Sequence, residues 1–251
     1  MIGTNRDVGN ARELLLEGFP RIQDSLDDEP AENILRWAFE TFDNKVAIAS
    51  SFGAEDVVLI DISARIKPNV RIFTLDTGRL PHETYQLIDE IKEKYNVAIE
   101  VCFPDEQRIR TMVQEHGFNL FYKGVAERRL CCNIRKVEPL QKKLGELGAW
   151  VCGLRREQAV TRTGIKTVEI DTSNHGIIKI NPLAAWTEKD IWNYIKENEV
   201  PYNSLHDKGY PSIGCAPCTR SVRAIEDVRA GRWWWESPEL KECGLHKKDQ
   251  N

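Results

Sequence analysis

The sequence predicts an α/β fold with a mainly parallel sheet flanked by helices. Short apolar segments with strand character alternate along the chain with longer segments whose apolar residues recur at helical spacing. Strands that alternate with helices pair in parallel through right-handed crossovers. At 251 residues the chain can bury a full core. We therefore expect residues 1–236 to form a single α/β domain and residues 237–251 to form a mobile polar tail.

The elements follow in order from this pattern. Residues 11–42 carry apolar side chains at helical spacing and predict two leading helices. The predicted strands are KVAIASS (45–51), NVRIFTLD (69–76), VAIEVCF (97–103) and AWVCGL (149–154). The predicted helices between them lie in FGAEDVVLIDISARI (52–66), LPHETYQLIDEIKEKY (80–95) and IRTMVQEHG (109–117). A last helix is expected after a Thr187 cap, with a stop at Pro201.

This topology predicts where a ligand binds. In parallel sheets ligands lie beyond the carboxyl ends of the strands. In this chain those ends are the loops that follow Ser50, Leu75, Cys102 and Gly153. We therefore look for functional residues in these loops.

Composition excludes several classes of protein. The formal net charge is −4 and 29% of residues are charged, which argues against a non-specific nucleic-acid binder or an anionic-membrane binder. The N-terminus lacks the apolar segment of a signal peptide, and no uncharged apolar run approaches the ~18 residues of a membrane span. We expect a cytoplasmic protein. In a reducing compartment, we interpret its seven cysteines as metal ligands or catalytic thiols rather than as a disulfide framework.

Four of the cysteines form two close pairs. Cys131 and Cys132 are adjacent, and neighbouring Cα atoms lie about 3.8 Å apart, closer than the roughly 4.4–6.8 Å that disulfides prefer. Cys215 and Cys218 have the two-residue separation that lets two sulfurs converge on one metal site. Four thiolates can hold one zinc ion or one iron–sulfur cluster, and an adjacent pair suits the larger cluster better. The alternative is two buried cysteines and a redox dithiol.

The remaining cysteines differ in their surroundings. Cys102 and Cys152 end apolar strands and are expected in the core. Cys243 lies in a polar segment with His246 three residues later, and an accessible thiol near basic groups suits a nucleophile. An idle surface cysteine is the alternative at this position.

Several motifs together resemble one known family. The segments RRLCCNIRKVEPL, GCAPCTR and ECGLH, with SSFGAEDVVL, LDTGRL and NPLAAWTEKDIWNYI, closely resemble the iron–sulfur-containing branch of the assimilatory adenylyl-sulfate (APS) and phosphoadenylyl-sulfate (PAPS) reductases. The resemblance covers nearly all of the chain after the leading helices. It implies an adenine-nucleotide α-hydrolase-like sheet, a 4Fe–4S cluster, and thioredoxin or a similar dithiol protein as electron donor. The implied reaction converts APS to sulfite and AMP through an S-sulfocysteine, in sulfate assimilation toward cysteine.

The resemblance also implies roles for individual residues. Cys243 would be the nucleophile, and Lys136 would link the cluster to the substrate. Attack by a thiolate on a phosphosulfate brings two anions together, so the site needs fixed positive charge. The cluster ligands would be Cys131, Cys132, Cys215 and Cys218, and the other residues expected to line the active site are His246, Arg229 and Arg232.

Three of the predicted loops are candidates for the nucleotide site. Ser50, Ser51 and Gly53 follow the first strand and open a helix, where amides and hydroxyls suit a phosphosulfate. This loop lacks the lysine of the Walker pattern, and a plain strand-to-helix turn is the alternative. After the second strand come Asp76, Thr77, Gly78 and Arg79, expected to contact ribose and base or to form only a capped glycine turn. Of the arginines after the fourth strand, we select Arg162 for the phosphosulfate.

Other functions compete with this interpretation. A PAPS reductase generally lacks both cysteine pairs, although PAPS is an alternative substrate for cluster-bearing members that resemble dual-substrate enzymes. An ATP-cleaving adenylylating enzyme of the same fold usually has a loop richer in glycine than SFGAED. A non-catalytic iron–sulfur sensor or a zinc module would explain the four cysteines but leaves Cys243 without a role. A homo-oligomer is compatible with the sequence.

Overall fold

The computed structural model describes residues 18–158, 162–223 and 225–237 of the chain. The helices in chain order are α1 (Phe19–Leu26), α2 (Ala31–Phe42), α3 (Ala54–Ile66), α4 (His82–Tyr95), α5 (Glu106–His116), α6 (Val125–Cys132), α7 (Glu138–Leu144) and α8 (Glu188–Glu197). The strands are β1 (Val46–Ala49), β2 (Ile72–Leu75), β3 (Ile99–Cys102), β4 (Ala149–Cys152), β5 (Val168–Asp171) and β6 (Ile177–Ile180). No helix within the described ranges is long and apolar enough to cross a membrane.

The described strands form one sheet in the order β3-β2-β1-β4-β6-β5. Every neighbouring pair is parallel except β5 and β6, which are antiparallel. The prediction of a mainly parallel sheet is confirmed. From β1 the chain adds β2 and β3 on one side of the sheet and then β4 on the other side, so the strand order reverses at β1. Such a switch point places a ligand crevice at the carboxyl ends of β1, β2 and β4.

Alternate residues of the central strands pack on opposite faces of the sheet. Val46 and Ile48 belong to one apolar core with α2 and α3, whereas Ala47 faces the other side. On β4 the alternation places Val151 in the first core and Trp150 in the second, which α7 covers. Period-two alternation of buried side chains on both faces requires helices on both faces, which gives three layers.

Local sequence signals explain where elements begin. The capping box at α8 forms as the Thr187 prediction requires: the Thr187 hydroxyl accepts from the Asp190 amide, and the Asp190 carboxylate accepts from the Thr187 amide. The hairpin of β5 and β6 was not part of the sequence-based expectation. Residues 11–17 of the first predicted helical segment lie outside the described residues, and α1 and α2 account for the rest.

Candidate active site

A cavity of about 650 Å³ opens at the carboxyl ends of β1, β2 and β4. Its volume is typical of sites that hold a small ligand, and its position is the one that the topology predicts. Eight of the sequence-predicted site residues line it: Ser50, Ser51, Gly53, Thr77, Lys136, Arg162, Arg229 and Arg232. Cys243 and His246 lie outside the described residues.

The loop after β1 is organised by Asp56 in the first turn of α3. The amide and the hydroxyl of Ser51 both donate to Asp56 Oδ2, at 2.6 and 2.8 Å. The amide of Phe52, a buried residue with a positive φ of 59°, donates to Ser50 Oγ at 3.1 Å. Because Ser50 Oγ is the acceptor in that bond, its hydrogen can still be donated to a ligand. Ser50 is therefore better placed than Ser51 to donate to an anion.

The environment of Asp56 disfavours its charged form. Burial raises the pKa of this carboxyl to about 6, although the hydrogen bonds from Ser51 oppose the shift. The carboxylate also lies against Gly153, where an added Cβ would stand 2.5 Å from Asp56 Oδ1. A glycine is required at this position to let the two loops approach each other.

The loop after β2 is divided between two sites. Thr77 lines the large cavity, and its Oγ1 lies 3.2 Å from the sulfur of Cys215. Asp76 does not line it; its carboxylate accepts from the Tyr85 hydroxyl and from the Gly78 amide. Arg79 points to the cysteine side, where its guanidinium stacks on the Phe121 ring at 5.1 Å. The structure thus places Asp76, Gly78 and Arg79 outside the cavity in which contacts to ribose and base were expected.

The loop after β4 contributes a buried arginine that pairs with a partly buried glutamate in the cavity wall. Arg155 Nε donates to Glu55 Oε1 at 2.8 Å, and both residues line the cavity. Arg162 also lines it and donates to the side chain of Gln158. Glu55 was not predicted as a site residue, because an acidic residue in the first turn of a helix is already explained by the helix dipole.

Two further residues of the cavity wall were missed by sequence reasoning. His206 packs edge-on against Trp192, with ring centroids 5.2 Å apart, and both line the cavity. Burial lowers the pKa of His206, so the imidazole is neutral near pH 7. A lone histidine in a turn carries no sequence signal that distinguishes it from a surface residue.

The four paired cysteines meet beside this cavity. Cys131 and Cys132 end α6, and Cys215 precedes a short 3-10 turn, Ala216–Cys218, of which Cys218 is the last residue. All four are buried and line one small second cavity. Four cationic side chains line the same cavity: Arg79, Arg128, Arg135 and Lys136.

The chemistry of this donor set fits an iron–sulfur cluster. Within the described ranges, no three His, Cys, Asp or Glu side chains are grouped as a site for one metal ion. Burial would raise the pKa of Cys215, but Lys136, the Thr77 hydroxyl, Arg232 and Arg135 together lower it. Burial raises the pKa of Cys131, and that of Cys218 to about 12. Coordination to a metal deprotonates a thiol outright. Four cysteine thiolates are the usual ligands of such a cluster.

Lys136 is common to both cavities. It lies in a π-helical turn, Asn133–Val137, that joins α6 to α7 directly after Cys132. Single π-turns inserted between α-helices are frequent at functional sites. From this turn the lysine faces the cysteines on one side and the nucleotide-sized cavity on the other.

The C-terminal described segment completes the wall. Arg232 lines the large cavity, and its Nη1 donates to Ser212 Oγ at 3.4 Å and to the Ile213 carbonyl at 3.3 Å. An added Cβ at Gly214 would lie 2.3 Å from a terminal nitrogen of Arg232, so a larger residue there would displace this guanidinium. Arg229 lines the same wall.

Comparisons of the sequence with known proteins point to one family. Residues 45–221 match the phosphoadenosine phosphosulfate reductase domain. The chain is 52% identical over 206 residues to the adenosine 5'-phosphosulfate reductase of Allochromatium vinosum, covering 82% of this chain and 80% of that protein. It is 47% identical over 233 residues to the enzyme of the same name from Pseudomonas aeruginosa, covering 90% and 86%.

Solved structures agree on the fold. A Candida auris phosphoadenylyl-sulfate reductase superposes with a TM-score of 0.69 at 30% identity, covering 82% of this chain and 97% of that one. Candida glabrata FMN adenylyltransferase superposes with a TM-score of 0.53 at 15% identity, covering 84% and 75%, and shares the fold alone. These similarities confirm the fold that the sequence motifs implied, and the chain belongs to the adenylyl-sulfate and phosphoadenylyl-sulfate reductase family.

Proposed function

We propose that this chain reduces APS to sulfite and AMP, with thioredoxin or a similar dithiol protein as the electron donor. The observation that carries the proposal is the position of Lys136, which lines both the nucleotide-sized cavity and the cavity of the four cysteines. The named relatives from Allochromatium vinosum and Pseudomonas aeruginosa support APS as the substrate. PAPS is the alternative, because the family includes both classes of enzyme.

The residues of the large cavity suit a phosphosulfate. Ser50 offers a hydroxyl, and Lys136, Arg162, Arg229 and Arg232 offer positive charge along the walls. Fixed cations and donors lower the cost of bringing a thiolate to an anionic sulfate and favour the charge that develops on the departing AMP. In this proposal Asp76, Gly78 and Arg79 lie outside the large cavity and stabilise its wall without contact to the substrate.

The proposed chemistry runs through Cys243. Its thiolate attacks the sulfur of APS, the bond between sulfur and the phosphate oxygen breaks, and AMP leaves with the electron pair of that bond. The enzyme then carries an S-sulfocysteine. A thioredoxin thiolate attacks the Cys243 sulfur, expels sulfite and leaves a mixed disulfide, which the second thioredoxin thiol resolves. His246 and the arginines would surround the reacting sulfate.

The four cysteines Cys131, Cys132, Cys215 and Cys218 would hold a 4Fe–4S cluster. When bound, the cluster would supply fixed negative charge beside Lys136, and this charge would hold the ammonium group at the boundary between the cysteine site and the substrate cavity. Lys136 itself reaches the substrate cavity and would bind the sulfate oxygens. In this proposal the substrate therefore contacts the Lys136 ammonium group, whose position the cysteine site fixes.

The test is sulfite release from APS by the iron-loaded protein with thioredoxin. The wild-type chain should release sulfite, and Cys243→Ser should keep its iron content and its AMP affinity but lose turnover. Cys102→Ser is the matched control, because it removes a half-buried thiol that lines neither cavity. Full turnover by Cys243→Ser would refute the covalent mechanism. An iron-loaded wild-type chain that releases no sulfite from either APS or PAPS would favour a non-catalytic sensor.

A further inference from the structure

Arg128 is a fully buried arginine in α6, with 0% of its side chain exposed. Buried arginines are rare and are retained where several partners satisfy the guanidinium. Arg128 lies one helical turn before Cys132, so the two side chains share a face of the helix. It also lines the small cavity of the four cysteines. Its side chain therefore belongs to the cysteine site without being a candidate ligand.

The guanidinium of Arg128 contacts the last part of the described chain. Its Nε and Nη2 donate to the two carboxylate oxygens of Glu236, both at 2.9 Å. This parallel pair of bonds is the strongest arrangement of an arginine and a carboxylate. The Glu236 side chain is 3% exposed, so the pair is shielded from solvent at both ends. The link joins residues that are 108 positions apart in sequence.

Two more contacts connect this pair to the two cavities. The Arg128 guanidinium stacks on the Trp233 ring at 4.7 Å, and Arg232 stacks on the same ring at 4.7 Å. The side chains of Glu236 and Cys132 both hydrogen-bond to the Arg128 guanidinium, and an arginine keeps its charge in proteins. One buried cation thus contacts a proposed cluster ligand, the ring that supports Arg232, and Glu236.

Glu236 stands seven residues before Cys243 in the sequence. Seven residues span at most about 25 Å when fully extended, so the position of Glu236 limits where Cys243 can reach. Fixing the point from which a reactive group extends raises its effective concentration at the target.

We propose that Arg128 and Glu236 are positioning residues: their ion pair fixes the segment that carries Cys243 to the helix that carries Cys131 and Cys132. The inference rests on the proposed function, because it concerns delivery of Cys243 to the substrate. It assigns the pair no contact with substrate. Its effect is on the rate of sulfonate transfer rather than on nucleotide binding.

The test compares Glu236→Gln with Glu226→Gln, both in the iron-loaded full chain. Glu226 is a matched control, because it also accepts two hydrogen bonds from one arginine, Arg220. The pair of Glu226 and Arg220 is more exposed than the pair of Glu236 and Arg128, and neither of its residues lines a cavity. Transfer of sulfonate from saturating APS to Cys243 is followed in a single turnover by mass spectrometry. Glu236→Gln should slow transfer by about tenfold with AMP affinity and iron content unchanged. Glu226→Gln should transfer at the wild-type rate.

A second readout does not depend on activity. The amide of Glu236 donates to the Trp233 carbonyl at 2.9 Å, and the amide of Trp233 donates to the Cys218 carbonyl at 3.2 Å. Hydrogen exchange at these amides should accelerate by about tenfold or more in Glu236→Gln and stay unchanged in Glu226→Gln. Glu236→Asp retains the charge and should recover most of the transfer rate. This variant also serves if Glu236→Gln leaves too little folded protein, since a half-broken buried pair is costly.

A double-mutant cycle with Arg128→Lys tests whether the two residues act through one contact. Lysine keeps the charge but loses the two-bond geometry, so Arg128→Lys should also slow transfer. The double variant should then be no slower than the slower single variant. Additive losses, or a Glu236→Gln variant with wild-type transfer and exchange, would overturn the inference. A wild-type chain that never acquires a sulfonate would instead refute the proposed function. In that case the hydrogen exchange of Glu236→Gln would still decide whether the pair of Arg128 and Glu236 anchors the segment.

Discussion

Asp56 accepts two hydrogen bonds from Ser51, one from the amide at 2.6 Å and one from the hydroxyl at 2.8 Å. A buried carboxyl group therefore fixes the shape of the loop after β1 and uses both donors of Ser51, so Ser50 is the serine of this loop that can donate to an anion. The same burial raises the pKa of Asp56 to about 6. The stability of the fold therefore depends on the protonation of Asp56.

The Asp56 carboxyl has a higher pKa in the folded chain than in the unfolded chain, so it favours folding at low pH. Its contribution is complete below the unfolded pKa of about 4 and is lost as the pH rises through about 6. We expect the thermal midpoint of Asp56→Asn to rise relative to wild type by about 3 °C between pH 5 and pH 7.5.

Asp190→Asn is the control for this measurement. The hydrogen bonds from Thr187 lower the pKa of Asp190, so its stabilisation is lost only as the pH falls below the ordinary range of a carboxyl group. The difference in thermal midpoint between wild type and Asp190→Asn should stay constant over the same interval. A constant difference for Asp56→Asn as well would show that burial does not raise the pKa of Asp56.

The cysteine site predicts which thiol holds iron. Cys215→Ala should purify with little iron and sulfide, because Cys215 lines the small cavity with the other three candidate ligands. Cys152→Ala removes an equally buried thiol from β4 and should keep both. Iron and acid-labile sulfide analysis after anaerobic purification measures the outcome. Equal iron content in the two variants would exclude Cys215 as a ligand.

Lys136 should matter more for turnover than any lysine on the outer face of the same helical segment. Lys136→Ala should lower kcat/KM for APS by about a hundredfold, the usual cost of removing a fixed cation from a developing charge. Lys142→Ala, at an exposed position of α7, should remain within about twofold of wild type. Steady-state sulfite release measures both. A decrease of less than threefold for Lys136→Ala would contradict the role that connects the two cavities.

Much of the fold follows from local patterns. The alternation of buried strands and amphipathic helices predicts the parallel sheet, and Thr187 with Asp190 marks the start of α8. The hairpin of β5 and β6 was missed because both strands carry charged residues and the turn between them resembles an ordinary polar loop.

The site is only partly predictable for a different reason. Cysteine spacing identifies the four cysteines that line the small cavity, because metal-binding spacing is a local signal. Ser51 was expected to face the phosphosulfate, but a local pattern cannot reveal that Asp56 takes both of its donors. The pair of Arg128 and Glu236 is likewise a product of the tertiary fold, since nothing in the sequence couples positions 108 residues apart.

The most direct test of the account is the state of Cys243 after exposure to substrate. Reduced, iron-loaded protein is incubated with APS, and separately with PAPS, without thioredoxin, and the peptide that contains Cys243 is analysed by mass spectrometry. The account predicts a sulfonate on Cys243 after APS, removed when thioredoxin is added; labelling by PAPS as well would define a dual-substrate enzyme. An unmodified Cys243 after both nucleotides, in protein with a full complement of iron, would contradict the covalent mechanism.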